Sequence, residues 1–166
     1  MSVSIRREQP GDERAIRALT DAAFRDMPHA DGNEGEVVDR LREDGDLHLS
    51  LVALNSDQAI IGHVAFSPIT IEHAEGRWYQ LGPVSVIPSG QNSGIGTDLI
   101  EYGLRELKGS GAGGIALVGD PDYYERFGFT REHDVTLSEA MDPYLQIVGF
   151  NDTSPRGKLT LAKAFG

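Results

Sequence analysis

The sequence predicts a mixed α/β fold, and three observations carry the prediction. Residues 84–118 read as an apolar strand, a glycine-rich turn, a helix and a second apolar strand, a unit whose two strands run parallel. Two runs rich in β-formers, 47–54 and 59–71, are separated by Asn55, Ser56 and Asp57, which makes an antiparallel hairpin. Two further strands close the chain, so the full order is βααβββαβαββ.

Each element has its own signal. Ser2 to Arg7 is a short first strand. Pro10 and Gly11 turn the chain, Asp12 is an N-cap residue, and Ile16, Leu19, Thr20 and Ala23 recur at helical spacing to about Phe24. Residues 27–33, MPHADGN, form a loop. A second helix runs from Glu34 to Glu43 with Val37, Val38 and Leu41 inward, and ends at Asp44 and Gly45. After the hairpin, Tyr79 to Ile87 is the next strand. Gly82 and Pro83 interrupt it, and because proline has no N–H to give a ladder, a bulge or a break in pairing is expected there.

Ile95, Leu99, Ile100, Gly103, Leu104 and Leu107 form the buried face of the main helix, which stops at Gly109, Ser110 and Gly111. Ile115 to Val118 is a continuous apolar run, as expected of a strand covered on both faces. Asp122 to Phe127 is a short helix leading to Gly128. Tyr144 to Asn151 and Lys158 to Phe165 are the closing strands, joined by residues 152–156.

Composition narrows the function. The 166 residues, free of repeats and linkers, read as one domain over 1–166. With no cysteine, disulfides, Cys-ligated zinc, iron–sulfur clusters and a thiol nucleophile are excluded, and a reducing cytoplasm is the expected location. The N-terminus has no apolar signal region and the stretch 59–66 is too short to span a bilayer, so no membrane association is expected. A net charge of −11 argues against nucleic acid as a partner and fits a cationic one, with a charge that serves only solubility as the alternative. His29, His48, His73 and His133 have no acidic neighbours at ligand spacing, so no metal is expected.

The chemistry concentrates in the turn after the strand at 84–86. Backbone amides at Ser93, Gly94, Ile95 and Gly96 fall at a helix start, unpaired within the helix and at the positive end of its dipole. Glycines at 94 and 96 let an anion approach the backbone, because no Cβ intervenes. A turn that needs glycine only for tight packing is the alternative. A P-loop would need lysine after its last glycine, but Gly96 is followed by Thr97 and Asp98. A dinucleotide fingerprint would need Gly-x-Gly-x-x-Gly, and Gly90, Gly94 and Gly96 have the wrong spacing.

What remains is Gln-x-x-Gly-x-Gly (Gln91 to Gly96) after a strand ending in Val-x-Pro, with Tyr-Tyr-Glu-Arg-Phe-Gly-Phe (Tyr123 to Phe129) downstream. This pair of motifs resembles the GNAT superfamily of acetyl-CoA-dependent N-acetyltransferases, over nearly the whole chain. The closing strands and the C-terminal Lys-Ala-Phe resemble its YhbS-like bacterial branch. The resemblance implies a mostly antiparallel central sheet with a splayed parallel strand pair, flanked by helices.

It also implies roles. Gln91, Asn92 and the amides of Ser93, Gly94, Ile95, Gly96 and Thr97 would hold the coenzyme A pyrophosphate. Val84, Ser85 and Val86 would pair with the pantetheine arm through their backbone, and the Val84 or Val86 amide would polarise the acetyl carbonyl. Tyr124, four residues before the Gly-Phe glycine, would donate a proton to the departing thiolate. Arg126 or Arg131 would add positive charge in a site whose turn has no arginine or lysine. Acetyl transfer to a primary amine, of a small molecule or a protein, would proceed by direct attack through a tetrahedral intermediate. For the proton of the attacking amine, Glu34 near the second helix start, His63 on a central strand and Ser85 acting through water are the candidates. A non-catalytic acyl-CoA-binding module and a nucleotide-binding domain are the competing functions. A monomer and a homodimer are both compatible with the sequence.

Overall fold

A computed structural model describes residues 3–25, 27 and 30–166. Ser2, proposed as the start of the first strand, and His29 lie outside the described residues, as do parts of the loop at 27–33. The elements are β1 (Ser4–Arg7), α1 (Glu13–Phe24), α2 (Glu34–Asp44), β2 (Leu49–Leu54), β3 (Ile60–His73), β4 (Trp78–Val86), α3 (Ile95–Gly109), β5 (Gly114–Val118), α4 (Pro121–Tyr124), β6 (Asp134–Thr136), β7 (Leu145–Gly149) and β8 (Arg156–Thr160).

The sheet runs β1-β2-β3-β4-β5-β7, with β8 laid along the far end of β3 and β6 beside β8. Its pairs are antiparallel except β4–β5 and β6–β8. Leu51, Val64, Phe66 and Leu81 on one face pack against Ile95, Leu99, Ile100 and Leu107 of α3. Val52 and Leu54 on the other face pack against Ile16 of α1 and Val38 of α2. The strict alternation of Leu51 and Val52 between these two layers is what a strand covered on both sides requires.

Several local outcomes differ from the sequence expectation or go beyond it. The run proposed as a last strand to Phe165 ends at Thr160, and Lys163–Phe165 forms a 3-10 turn whose Ala164 is buried beside Val37 and Leu41. The two closing strands do not pair with each other: β7 pairs with β5, and β8 pairs with Thr70, Ile71 and His73 of β3. β6 has no signal in the sequence because its three residues have only one buried side chain, Val135, and so no alternation to read. Asp12 precedes α1 as expected, but its carboxylate bonds Gln9 N–H and Arg6 rather than an amide of the helix.

The expected interruption of β4 is a bulge. Val64 faces Val84 and Phe66 faces Leu81, so Ala65 alone stands opposite both Gly82 and Pro83. Gly82 has φ +139, a conformation that favours glycine. β5 runs beside β4 only from Trp78 to Gln80, after which the two strands separate.

α3 lies close over the sheet because Gly103 faces the ring of Phe66, which is fully buried; a Cβ at 103 would overlap that ring. Gly103→Ala is expected to destabilise the protein by about 1–3 kcal/mol through overpacking, despite a gain of about 1 kcal/mol in helix propensity. Urea unfolding of the two proteins checks this; equal midpoints would contradict the close approach.

Candidate functional site

Where β4 and β5 part, a cavity of about 620 Å³ opens along the N-terminus of α3. Val84 and Val86 of β4, the turn residues Gln91, Asn92 and Gly94, and Ile95, Gly96 and Thr97 of α3 line it. Tyr123, Tyr124 and Arg126 close it from the α4 side, and Ala23 and Met27 from the α1 side. Val84, Val86, Ile95 and Ile100 make the apolar part of the wall, continuous with the core.

The turn has the geometry an anion needs. Asn92 and Gly94 take positive φ, +66 and +88, which winds the chain back into α3. The first intrahelical bond runs from Asp98 N–H to the Gly94 carbonyl, so the amides of Ile95, Gly96 and Thr97 precede the helix ladder. A Cβ on Gly96 would stand 3.6 Å from Val86, 3.8 Å from the Tyr123 hydroxyl and 3.9 Å from Val84, filling the mouth of the cavity. Glycine there keeps the space open between the helix start and β4.

The register of β3 on β4 fixes the direction of the β4 amides. Ile87 N–H donates to the Ile61 carbonyl at 3.0 Å, and Ile61 lies in register with Ile87 when the Gly62–Val86 pairing is continued by one residue. Hydrogen-bonded and non-bonded pairs alternate in an antiparallel ladder, so His63–Ser85 is the next bonded pair. The amides of Val84 and Val86 therefore turn away from β3, toward the side that β5 has left.

Around the cavity the aromatic residues have distinct settings. The Tyr123 and Thr97 hydroxyls are hydrogen-bonded at 3.0 Å, and the Arg126 guanidinium stacks 4.4 Å over the Tyr123 ring while its Nε–H donates to the Tyr123 carbonyl. Tyr124 is held edge-on by Tyr123 and Phe129, and a Cβ on Gly119 would touch its ring. Burial, with Tyr123 and Asp120 nearby, pushes the Tyr124 phenol up to about 12, so it stays protonated across the neutral range.

Of the residues singled out in the sequence, Val84, Val86, Gln91, Asn92, Gly94, Ile95, Gly96, Thr97, Tyr124 and Arg126 meet at this cavity. The Ser93 hydroxyl instead donates to the Gly90 carbonyl. Arg131 lies in a different cleft, with Asp142 and Pro143. Glu34 is half-buried at the first position of α2, where its carboxylate accepts from Asp31 N–H at 2.9 Å, in a neighbouring cleft that shares only Met27 with the cavity. That bond ties the preceding loop to the helix start, and the carboxylate also lies at the positive end of the α2 dipole.

Ser85 faces the opposite side of the sheet, toward α1, on the same face as its cross-strand partner His63. Both are buried, and the Ser85 Oγ and His63 Nδ1 atoms have no hydrogen-bond partner. The other ring nitrogen, His63 Nε2, lies 2.8 Å from Ser50 Oγ, which donates to Glu8 at 2.7 Å. Arg42 grips the same carboxylate with Nε and Nη2, both at 2.9 Å. Burial opposes ionisation of Glu8, but the Arg42 fork and the Ser50 hydroxyl outweigh it and hold the carboxyl below its usual value. Burial likewise drives His63 down to about 4, with Glu8 and Arg42 acting in opposite directions on it. Sequence reasoning missed Glu8 and Ser50, whose link to His63 depends on strand register and leaves no mark in the spacing.

The comparisons with known proteins point to one family. Residues 14–129 match the Acetyltransferase (GNAT) family. An Escherichia coli K12 protein, described as the uncharacterized N-acetyltransferase YhbS, is 36% identical over 133 residues, 79% of this chain and 77% of its own. The crystal structure of a GNAT family acetyltransferase from Brucella melitensis, in complex with acetyl-CoA, superposes with a TM-score of 0.87 at 44% identity, over 99% of each chain. The structure of E. coli YhbS in complex with CoA superposes with a TM-score of 0.89 at 29% identity, over 98% of this chain and 91% of that one.

The buried imidazole makes stability depend on pH. The unfolded chain takes up a proton on His63 as pH falls below 6.5, and the folded chain does not until about 4. Its contribution, about 3 kcal/mol, is fully present above pH 6.5 and is lost progressively as pH falls to 4. Denaturant unfolding across that window is expected to show the loss, and His63→Gln to flatten it; parallel curves for the two proteins would contradict a neutral buried ring.

Proposed function

The chain belongs to the GNAT acetyltransferase family, and on that premise we propose that it transfers the acetyl group of acetyl-CoA to a primary amine by direct attack. The observation that carries this reading is a single cavity in which the outward-turned Val84 and Val86 amides, the anion-binding turn at Gln91–Thr97 and the Tyr124 phenol converge. The crystal structures of relatives that hold acetyl-CoA or CoA support the same co-substrate.

In this reading the amides of Gly94, Ile95, Gly96 and Thr97, with Gln91 and Asn92, hold the pyrophosphate at the helix start. Arg126, the cation on the cavity wall, adds charge to one side of it. The backbone of Val84, Ser85 and Val86 extends the sheet along the pantetheine arm in the place that β5 vacates, and an amide of Val84 or Val86 polarises the carbonyl. Bound acetyl-CoA supplies an activated thioester. Tyr124 keeps its proton at neutral pH and gives it to the departing sulfur.

The proton count sets what else is required. An alkylammonium acceptor must lose one proton before it can attack and a second as the amide forms. The thiolate takes up one of the two, so one proton leaves the site in each turnover. The acidic surface, net −11, attracts cationic acceptors of small-molecule or protein origin. A cysteine-free, direct-transfer enzyme suits the reducing cytoplasm.

Thiol release from acetyl-CoA over a panel of amines, for wild type and Tyr124→Phe, tests the proposal. The wild type is expected to release thiol with at least one primary amine. Tyr124→Phe keeps the ring packing and is expected to lower kcat about 10²-fold with unchanged coenzyme A affinity. Equal rates in the two proteins would remove Tyr124 from the reaction, and no release with any amine would overturn acetyl transfer.

A further inference from the structure

We propose that His63, acting through Ser85 and oriented by Glu8 through Ser50, accepts the proton that the acceptor amine must lose. The inference rests on the acetyl-transfer reading. Its own basis is the side-chain chain Glu8–Ser50–His63 behind β4, whose open end is the only unsatisfied nitrogen of a fully buried ring.

The hydrogen-bond directions follow from valence. Glu8 is ionised, so it only accepts, both from Arg42 and from Ser50. The single hydroxyl proton of Ser50 is thereby committed to Glu8, and Ser50 Oγ must accept from His63 Nε2–H. A neutral His63 then carries a lone pair on Nδ1. That atom is buried without a donor, and the Ser85 hydroxyl on the adjacent strand of the same face is buried without a partner. Cross-strand neighbours place their Cβ atoms about 5 Å apart, a gap that a serine rotamer or one water closes.

The environment keeps the ring neutral, with the Nδ1 lone pair unoccupied. The charged groups acting on it are Glu8 and Arg42. β2 contributes Ser50 and Val52, β4 contributes Ser85, and the buried face of α1 over these strands is Ile16, Leu19, Thr20 and Ala23, none of them titratable. Ser85 stands between Val84 and Val86: its own N–H and carbonyl are turned to His63, while the amides of its two neighbours face the opening. Rotation about its single side-chain torsion carries Oγ between the His63 side and that opening.

The transfer balances as follows. The N–H bond of the ammonium breaks and its proton bonds to Ser85 Oγ, while the hydroxyl proton of Ser85 bonds to His63 Nδ1. The ring becomes an imidazolium, compensated by the Glu8 carboxylate through Ser50. After the product leaves, the proton returns by way of Ser85 to solvent. His63 and Ser85 thus sit on the α1 side of the sheet and Tyr124 on the α3 side, flanking one opening. Glu8 and Ser50 are positioning residues.

Thiol release with an alkylamine and with an arylamine, which is already neutral at pH 7, separates this role from a structural one. Glu8→Gln lets residue 8 donate to Ser50, so that Ser50 donates to His63 Nε2 and the ring proton moves to Nδ1. It is expected to lower kcat for the alkylamine by about 10²-fold, to leave KM for acetyl-CoA unchanged and to change the arylamine rate little. Raising the pH until the alkylamine is neutral is expected to restore its rate. Nitrogen-15 spectra of labelled histidine are expected to show a neutral Nε2–H ring for His63 in wild type and Nδ1–H in Glu8→Gln, a readout independent of turnover. Equal losses with both acceptors, an unaffected alkylamine rate, or an Nδ1–H ring in wild type would overturn the proposal. A wild type that releases no thiol with any amine overturns the acetyl-transfer reading and the proton path with it, whereas active wild type with unaffected variants overturns the path alone.

Discussion

The separation of β4 from β5 after Gln80 is the constraint on which the rest depends. Two neighbouring parallel strands would normally satisfy each other's backbone along their whole length. Here the bulge at Gly82 and Pro83 redirects β4, which stays bonded to β3 through Val86 while β5 stays paired with β7 to Val118. Val84 and Val86 consequently present amides to an open edge inside the molecule. An unpaired edge exposed on the surface would invite aggregation; this one is sheltered by α3, α4 and α1 and is a template for an extended ligand.

The helix α3 exploits the same opening. Its N-terminus points three amides into the cavity beside the β4 edge, so the strand edge and the helix start act on one ligand, the first along its length and the second at its charged end. Gly103 allows the helix to lie close over the Phe66 ring, and Gly96 at the junction leaves open the space between the helix start and β4. A side chain at 103 would push the helix off the sheet and separate the two halves of the site.

Much of this was legible in the sequence because it is local. Pro83 inside an apolar strand announces the bulge, the glycines at 94 and 96 announce the turn, and the spacing of apolar residues gives the helices and most of the strands. What was not legible depends on register between strands. Periodicity tells which face of β3 carries His63, but not that Ser50 of β2, Ser85 of β4 and Glu8 beyond β1 meet it there. For the same reason the partners of β8 could not be read, and Glu34, attractive by its place before a helix, turned out to serve the Asp31 amide.

The central claim, that β4 offers a free amide edge to the co-substrate, is tested most directly by hydrogen exchange at individual amides, with and without coenzyme A. The Ser85 amide, bonded to His63, is expected to be protected in both states, while the Val84 and Val86 amides exchange readily alone and become protected when coenzyme A is added. Protection of Val84 and Val86 that coenzyme A leaves unchanged would contradict it.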